Sequence, residues 1–205
     1  MPKEIRRLTN QLLRHPHVVE LNHTRPLETI AHALYPVDEQ RKVGLLEHVL
    51  SSGDFISAIV FTRTKHRAKR LARKLGSSGY RAVALQGNMS QSARVRAMDG
   101  FRKRNFDVLV ATDIAARGLD IEQVSHVVNF DMPGTPDAYT HRIGRTGRAE
   151  RKGKAYTFVT AGDHQMVREV ERRVGMSIPR RTVEGIGSIP FPVLRPGSRR
   201  RRRAS

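Results

Sequence analysis

Between residues 57 and 174 the chain alternates two rhythms of apolar and polar positions. Short, nearly continuous apolar runs over 57–62, 81–86, 107–111, 124–130 and 155–160 read as strands. Between them, apolar residues recur every three or four positions and predict helices. Asp38 opens one whose stripe is Val43, Leu45, Leu46, Val49 and Leu50, closed by Ser51-Ser52-Gly53. A second runs over 65–75 and ends at Gly76; a third is capped by Ser90 and reaches about residue 103. The last spans 163–174, with Met166, Val167, Val170 and Val174 on one side. Upstream, Ile5, Leu8, Leu12 and Leu13 predict a helix over 1–14 that His15-Pro16 stops. Residues 18–21 and 29–37 read as extended, and Pro36 argues for a sheet edge or a strand end. Strands that are apolar throughout, separated by helices, imply an α/β fold: a mostly parallel sheet with helices on both faces. In such sheets the ligand site lies beyond the carboxyl ends of the strands.

Charge changes the picture. The 205 residues carry 38 Lys+Arg against 19 Asp+Glu, a net charge of +19, which points to a polyanionic partner, nucleic acid before membrane. With no cysteine there is no disulfide framework and no thiolate metal site. Apolar runs such as Ala58-Ile59-Val60-Phe61 are too short to span a bilayer, and Lys3, Arg6 and Arg7 lead into no signal-peptide core. The expectation is a soluble cytoplasmic protein with no membrane contact and no metal site of its own. From Gly175 the pattern decays through Pro179, Pro190, Pro192 and Pro196 to five consecutive arginines, Arg199 to Arg203. Two units are expected: a folded domain over 1–183 and a disordered basic Pro/Arg-rich tail over 184–205.

Four stretches carry chemistry, each just after a strand. Phe61-Thr62-Arg63-Thr64-Lys65 combines hydroxyls, a guanidinium and the free N–H groups of a helix start, a cradle for phosphate. The helix behind it carries Arg67, Lys69, Arg70, Arg73 and Lys74, which read as an ordinary exposed face. In Gln86-Gly87-Asn88, Gly87 allows close backbone approach, and Arg94 lies one turn into the next helix. Thr112 and Asp113 end a strand, and Gly118 with Asp120 offers a turn whose carboxylate could accept from a ribose hydroxyl. Finally, His141-Arg142-Ile143-Gly144-Arg145-Thr146-Gly147-Arg148 follows Thr135-Pro136, a helix start that should end with a left-handed Gly144. Arg145 and Arg148 then fall in the turn beyond, and forked guanidinium groups suit phosphate oxygens. A solvated basic loop would carry the same eight residues.

Together the four stretches resemble the second RecA-like domain of DEAD-box RNA helicases, and among them the bacterial RhlE-type subgroup. Val60 to Lys65 is similar to the family's motif IV, Gln91-Ser92-Ala93-Arg94 to its Gln-x-x-Arg element, Ala111 to Ile121 to motif V, and His141 to Arg148 to motif VI. The resemblance covers residues 1–183 and implies a single RecA-like domain. It implies that Arg145 and Arg148 reach the ATP γ-phosphate as catalytic groups, that Gly118 and Asp120 touch the nucleotide ribose, and that His141 links the ATP and RNA sites. Arg63, Thr64, Gly87, Arg94, Thr112 and Asp113 are implied to face RNA, through backbone and ribose rather than base sequence. ATP and Mg2+ are the implied cofactors. The chain contains no Gly-x-x-x-x-Gly-Lys-Ser/Thr loop, no Asp-Glu-Ala-Asp, no Gln motif and no Ser-Ala-Thr. The magnesium ligands are therefore expected in a missing N-terminal RecA-like domain, and this half alone is expected to be inactive and to bind nucleotide weakly. Arg199 to Arg203 are a possible extra RNA contact. Two other readings stay open: a stand-alone RNA-binding or annealing module, and the second domain of a DNA helicase or translocase.

Overall fold

The computed structural model describes residues 30–117, 121, 124–147 and 153–191. Its six strands are β1 (Ile30–Pro36), β2 (Ala58–Phe61), β3 (Ala82–Leu85), β4 (Val108–Ala111), β5 (His126–Asn129) and β6 (Gly153–Val159). They form one sheet in the order β1-β6-β5-β2-β4-β3, and every pairing is parallel. The helices are α1 (Lys42–Leu50), α2 (Lys65–Ser77), α3 (Gln91–Arg102), α4 (Asp113–Ala116), α5 (Pro136–Ile143) and α6 (His164–Val174). The segments 1–14 and 18–21, and the tail from residue 192 onward, lie outside the described residues.

Each strand is apolar on both sides because both sides are covered. Leu45, Leu46, Ala68, Leu71 and Leu75 of α1 and α2 pack on Val60, Val110, Val128 and Phe158 of one sheet face. On the other face, Ala97, Met98 and Phe101 of α3 pack on Ile59, Leu109 and Val127, and Tyr139, Ile143, Val167 and Val170 of α5 and α6 on Leu34, Ala155 and Val159. The expected two-faced parallel sheet is therefore present. From β2 the chain moves outward to β3, returns through β4, and then crosses to β5 on the opposite side of β2. The crevice of an open α/β sheet lies at such a reversal, which here falls between β2 and β5.

Two local expectations are corrected. Asp38 makes no side-chain cap; a 3₁₀ turn, Glu39–Arg41, starts that helix instead. Helix α2 does not stop at Gly76 but runs through it to Ser77, and the left-handed residue is Gly79, at φ +88. A glycine ends a helix only where the chain needs positive φ, and Gly76 does not supply it. Beyond Gly175 the chain returns to the sheet, within the 1–183 expected for the domain. Leu34 N–H donates to the Pro179 carbonyl and Arg181 N–H to the Leu34 carbonyl, both at 2.8 Å, so residues 179–181 cover the outer edge of β1. Ile178 is buried beside them. Farther on, the Arg41 guanidinium donates to the Ile186 carbonyl at 2.8 Å.

Candidate functional site

The carboxyl ends of β2, β4 and β3 lie side by side, so the segments that follow them form one continuous rim. After β2, Arg63 is exposed and its backbone N–H donates to Asp131 Oδ2 at 2.8 Å. Thr64 caps α2: its Oγ1 accepts from the Arg67 N–H at 3.2 Å. After β3, Gly87 is exposed, and a Cβ there would meet nothing within 4 Å. The chain does not require glycine at this point; its effect is to leave the surface above the strand open. After β4, Thr112 is buried and its hydroxyl makes no cap bond to α4. Arg94 reaches across from α3, donating through Nη2 to the Ala115 carbonyl at 3.1 Å. These residues, with Asp113, are brought together on one side of the domain.

Asp131, two residues past the end of β5, was not singled out from sequence. Its carboxylate is buried and holds Arg63 N–H, the Arg67 guanidinium and Lys42 Nζ, the last at 3.4 Å. It therefore sets the path of the chain as it leaves β2. The available signal is a polar residue just past a central strand, as Thr62 and Thr112 also are.

Helix α5 carries the arginine-rich stretch. Its expected start is present: Thr135 Oγ1 accepts from the Ala138 N–H at 3.1 Å, with Pro136 at the first helical position. Tyr139, Arg142 and Ile143 face inward, whereas His141 faces out. Burial raises the Tyr139 phenol pKa above its ordinary value. Arg142, only 3% exposed, holds Asp113 in a bidentate pair, Nε to Oδ1 at 2.6 Å and Nη2 to Oδ2 at 2.7 Å. Its Nη1 donates to Asn129 Oδ1 at 3.1 Å and to the Asp131 carbonyl at 2.8 Å, while the guanidinium lies 5.0 Å from the centre of the Phe61 ring. Arg142 thus ties together the ends of β2, β4 and β5. Asp113, implied to face RNA, spends its carboxylate on this pair.

The turn after α5 differs from expectation. Gly144 sits at φ −64, an ordinary helical value, and the left-handed residue is Gly147 at φ 72. Arg145 N–H and Thr146 N–H bond back to the Arg142 and Ile143 carbonyls at 3.2 and 3.1 Å, so the chain adds a tight turn before it reverses. Gly144 instead meets a packing need, since a Cβ there would lie 3.3 Å from the Thr140 carbonyl. Half-buried Arg145 lines a cleft of about 320 Å³ with His141, Arg117, Asp113, Arg142 and Phe61. Besides Arg142, whose charge Asp113 meets, three basic side chains stand around this one small cleft, an arrangement that suits an anion. Gly118, Asp120 and Arg148 lie outside the described residues. Among the described residues, no three His, Asp or Glu side chains come together in a way that could hold a metal ion.

Comparison with known proteins agrees with this geometry. The model of the helicase conserved C-terminal domain matches residues 41–150. The chain is 36% identical over 178 residues to the ATP-dependent RNA helicase DeaD of Buchnera aphidicola, which spans 87% of this chain and 30% of that protein. It spans about a third of the length of the curated relatives it matches. Among solved structures, the DEAD-box protein SrmB of E. coli, bound to the regulator of ribonuclease activity A, matches with a TM-score of 0.74 at 40% identity, covering 79% of this chain and 96% of that one. Dbp5 of S. cerevisiae, bound to RNA and ADP BeF3, matches with a TM-score of 0.78 at 30% identity, over 90% of this chain and 50% of that one. The chain therefore belongs to the helicase conserved C-terminal domain family and is a RecA-like second domain of the DEAD-box type.

Proposed function

We propose that this domain is the arginine-supplying half of an ATP-dependent RNA helicase. The observation that carries the reading is the cleft where Arg145 and His141 stand beside the Asp113–Arg142 pair, one strand away from the open rim of Arg63, Gly87 and Thr112. Two ligand sites share one rigid connector, which suits a domain that must bind nucleotide and RNA together.

In this mechanism a first RecA-like domain holds ATP and Mg2+ and closes against the rim. Arg145, with Arg148, reaches the γ-phosphate and stabilises the charge that develops during transfer, while Gly118 and Asp120 take the ribose. Such arginines contribute on the order of 10³–10⁵ in rate in well-studied nucleotide hydrolases. RNA lies along Arg63, Thr64, Gly87, Arg94 and Thr112, held by its backbone. The closed state binds both ligands, so each favours the other's binding. A bent single strand fits a closed cleft and a straight duplex does not, so closure separates strands locally, and hydrolysis reopens the cleft. Ile114 beside the cleft is 82% exposed, an apolar spot that a closing domain would cover.

The Leu85-Gln86-Gly87-Asn88 turn supports an RhlE-type relative within the family. We further assign residues 1–183 to the domain and 184–205 to a basic tail that adds RNA contact through Arg199 to Arg203, in a cytoplasmic protein. The test is RNA-stimulated ATP hydrolysis by this chain alone and after mixing with a separately made first domain. Activity in the mixture only, lost with Arg145→Ala, is the expected result. Turnover by the chain alone would overturn it. Inactivity throughout, with salt-sensitive RNA binding that survives Arg145→Ala, would replace it with a binding module.

A further inference from the structure

Helix α2 leaves the rim at Thr64 and presents an unusual outer face. Its 13 residues, KHRAKRLARKLGS, contain six Lys and Arg, one His and no acid. Ala68, Leu71, Ala72 and Leu75 face the sheet, and Lys65, His66, Lys69, Arg70, Arg73 and Lys74 are exposed. The exposed basic residues fall into two rows, Lys65-Lys69-Arg73 and His66-Arg70-Lys74, each repeating every fourth residue. Like charges so placed repel, and cations in the first turn oppose the helix dipole. The other two long basic helices interleave acids: α3 pairs Arg102 with Asp99 at 4.0 Å, and α6 carries Glu169 and Glu171.

Nor, among the described residues, does an acid pair with the exposed face. Glu39 pairs with Arg67 and Lys42, and Glu47 accepts from the Ser78 hydroxyl at 2.7 Å. Among the described residues, Lys65, Lys69, Arg70, Arg73 and Lys74 make no ion pair. Successive residues in one row rise about 6 Å along the axis, comparable to the step between phosphates of an extended strand. The row also starts beside Arg63, so the surface continues from the rim without a break.

We propose that the outer face of α2 is a second RNA backbone track, which holds the strand after it leaves the rim. This rests on the RNA reading of the rim. The contacts are made to phosphate alone, so the track is indifferent to base sequence and adds affinity only for RNA long enough to reach it.

The test uses the full 205-residue chain and a fourfold variant, Lys69→Gln, Arg70→Gln, Arg73→Gln and Lys74→Gln. Binding is measured against salt for strands of about six and about twenty nucleotides, since sites of this kind take roughly 4–16 nucleotides. The variant should bind the longer strand at least about tenfold more weakly, with a log–log salt slope shallower by about 0.7 per lost phosphate contact, and the shorter strand unchanged. Its melting temperature should hold or rise, because repulsion has been removed. Unchanged affinity and slope for the longer strand overturn the proposal. An equal loss of binding to polyglutamate of matched charge also overturns it, in favour of an acidic polypeptide. Arg63→Ala acts on the short-strand measurement, and so separates failure of the rim reading from failure of this one.

Discussion

Arg142 and Arg145 stand three residues apart on one short stretch, yet the structure uses them in opposite ways. Arg142 is sealed at 3% exposure, over an aromatic ring and bonded to Asp113, Asn129 and the Asp131 backbone. Arg145 sits half-buried at the wall of the cleft. Burial separates them: α5 turns Tyr139, Arg142 and Ile143 inward, and Arg145 lies past its end. A guanidinium inside the domain must have its hydrogen bonds met by the protein, and then it acts as a connector. One at the cleft wall can meet a ligand. An arginine-rich motif therefore contains a fixed member that shapes the cleft and another that lines it.

Stability measurements should separate the two, and urea denaturation of the chain is the common readout. The largest loss is expected for Arg142→Ala, which strands Asn129 Oδ1 and the Asp131 carbonyl and leaves Asp113 unpaired. Breaking a buried pair typically costs 3–5 kcal/mol, and because the Asp113 carboxylate is 39% exposed and can rehydrate, about 3 kcal/mol is expected. A loss under about 1 kcal/mol would mean that Arg142 is no connector. Thr135→Ala removes the cap of the helix that carries both arginines and should cost about 1 kcal/mol, while Thr135→Gly or Thr135→Ser should cost less. An effect confined to His126 comes next. It lies at the opposite, amino end of β5, where burial between the Phe55 and Tyr156 rings lowers its pKa below 6.5. Its Nδ1 meets the Ser125 hydroxyl at 2.8 Å, and the Asp54 carboxylate, paired to Lys154, stands 3.9 Å from Nε2. The folded state thus favours the neutral ring. Stability should be full above pH 6.5 and fall as pH drops through 6.5 towards the lower folded value, and His126→Gln should flatten that acid limb. If the slope is unchanged in the variant, another group titrates. Smallest of all, Arg145→Ala should move stability by no more than about 0.5 kcal/mol while removing the turnover of the two-domain mixture.

The sheet could be read from the residues because its strands are apolar on both sides, a pattern that a half-exposed sheet does not produce. The caps at Ser90 and Thr135 were equally plain, since each is a hydroxyl residue placed before a periodic run. Gly76 and Gly144 were misread because glycine is permissive: the residue allows positive φ without requiring it, and the backbone took its left-handed turns at Gly79 and Gly147. At the candidate site, the positions on the rim followed from strand ends alone. Their partners did not. Asp131 and Arg142 act through groups distant in sequence, as in the 29-residue separation of Arg142 from Asp113. One local signal for Arg142 was present, since it shares the inward stripe of α5 with Tyr139 and Ile143. A charged residue on a buried stripe announces a partner without saying which.

The pairing of β1 has a consequence for synthesis. Its strand partner is β6, register Ile30 to Gly153, and its other edge is taken by residues 179–181. A nascent chain therefore carries β1 unpaired while β2 to β5 are being made, and can seat it only when residues 153–159 have left the ribosome. Its last cover arrives later still. Parallel pairings across such separations form slowly. Until then Leu34 and Tyr35, buried in the finished domain, remain open to wrong partners, so for this molecule the most vulnerable interval comes before the last strand emerges.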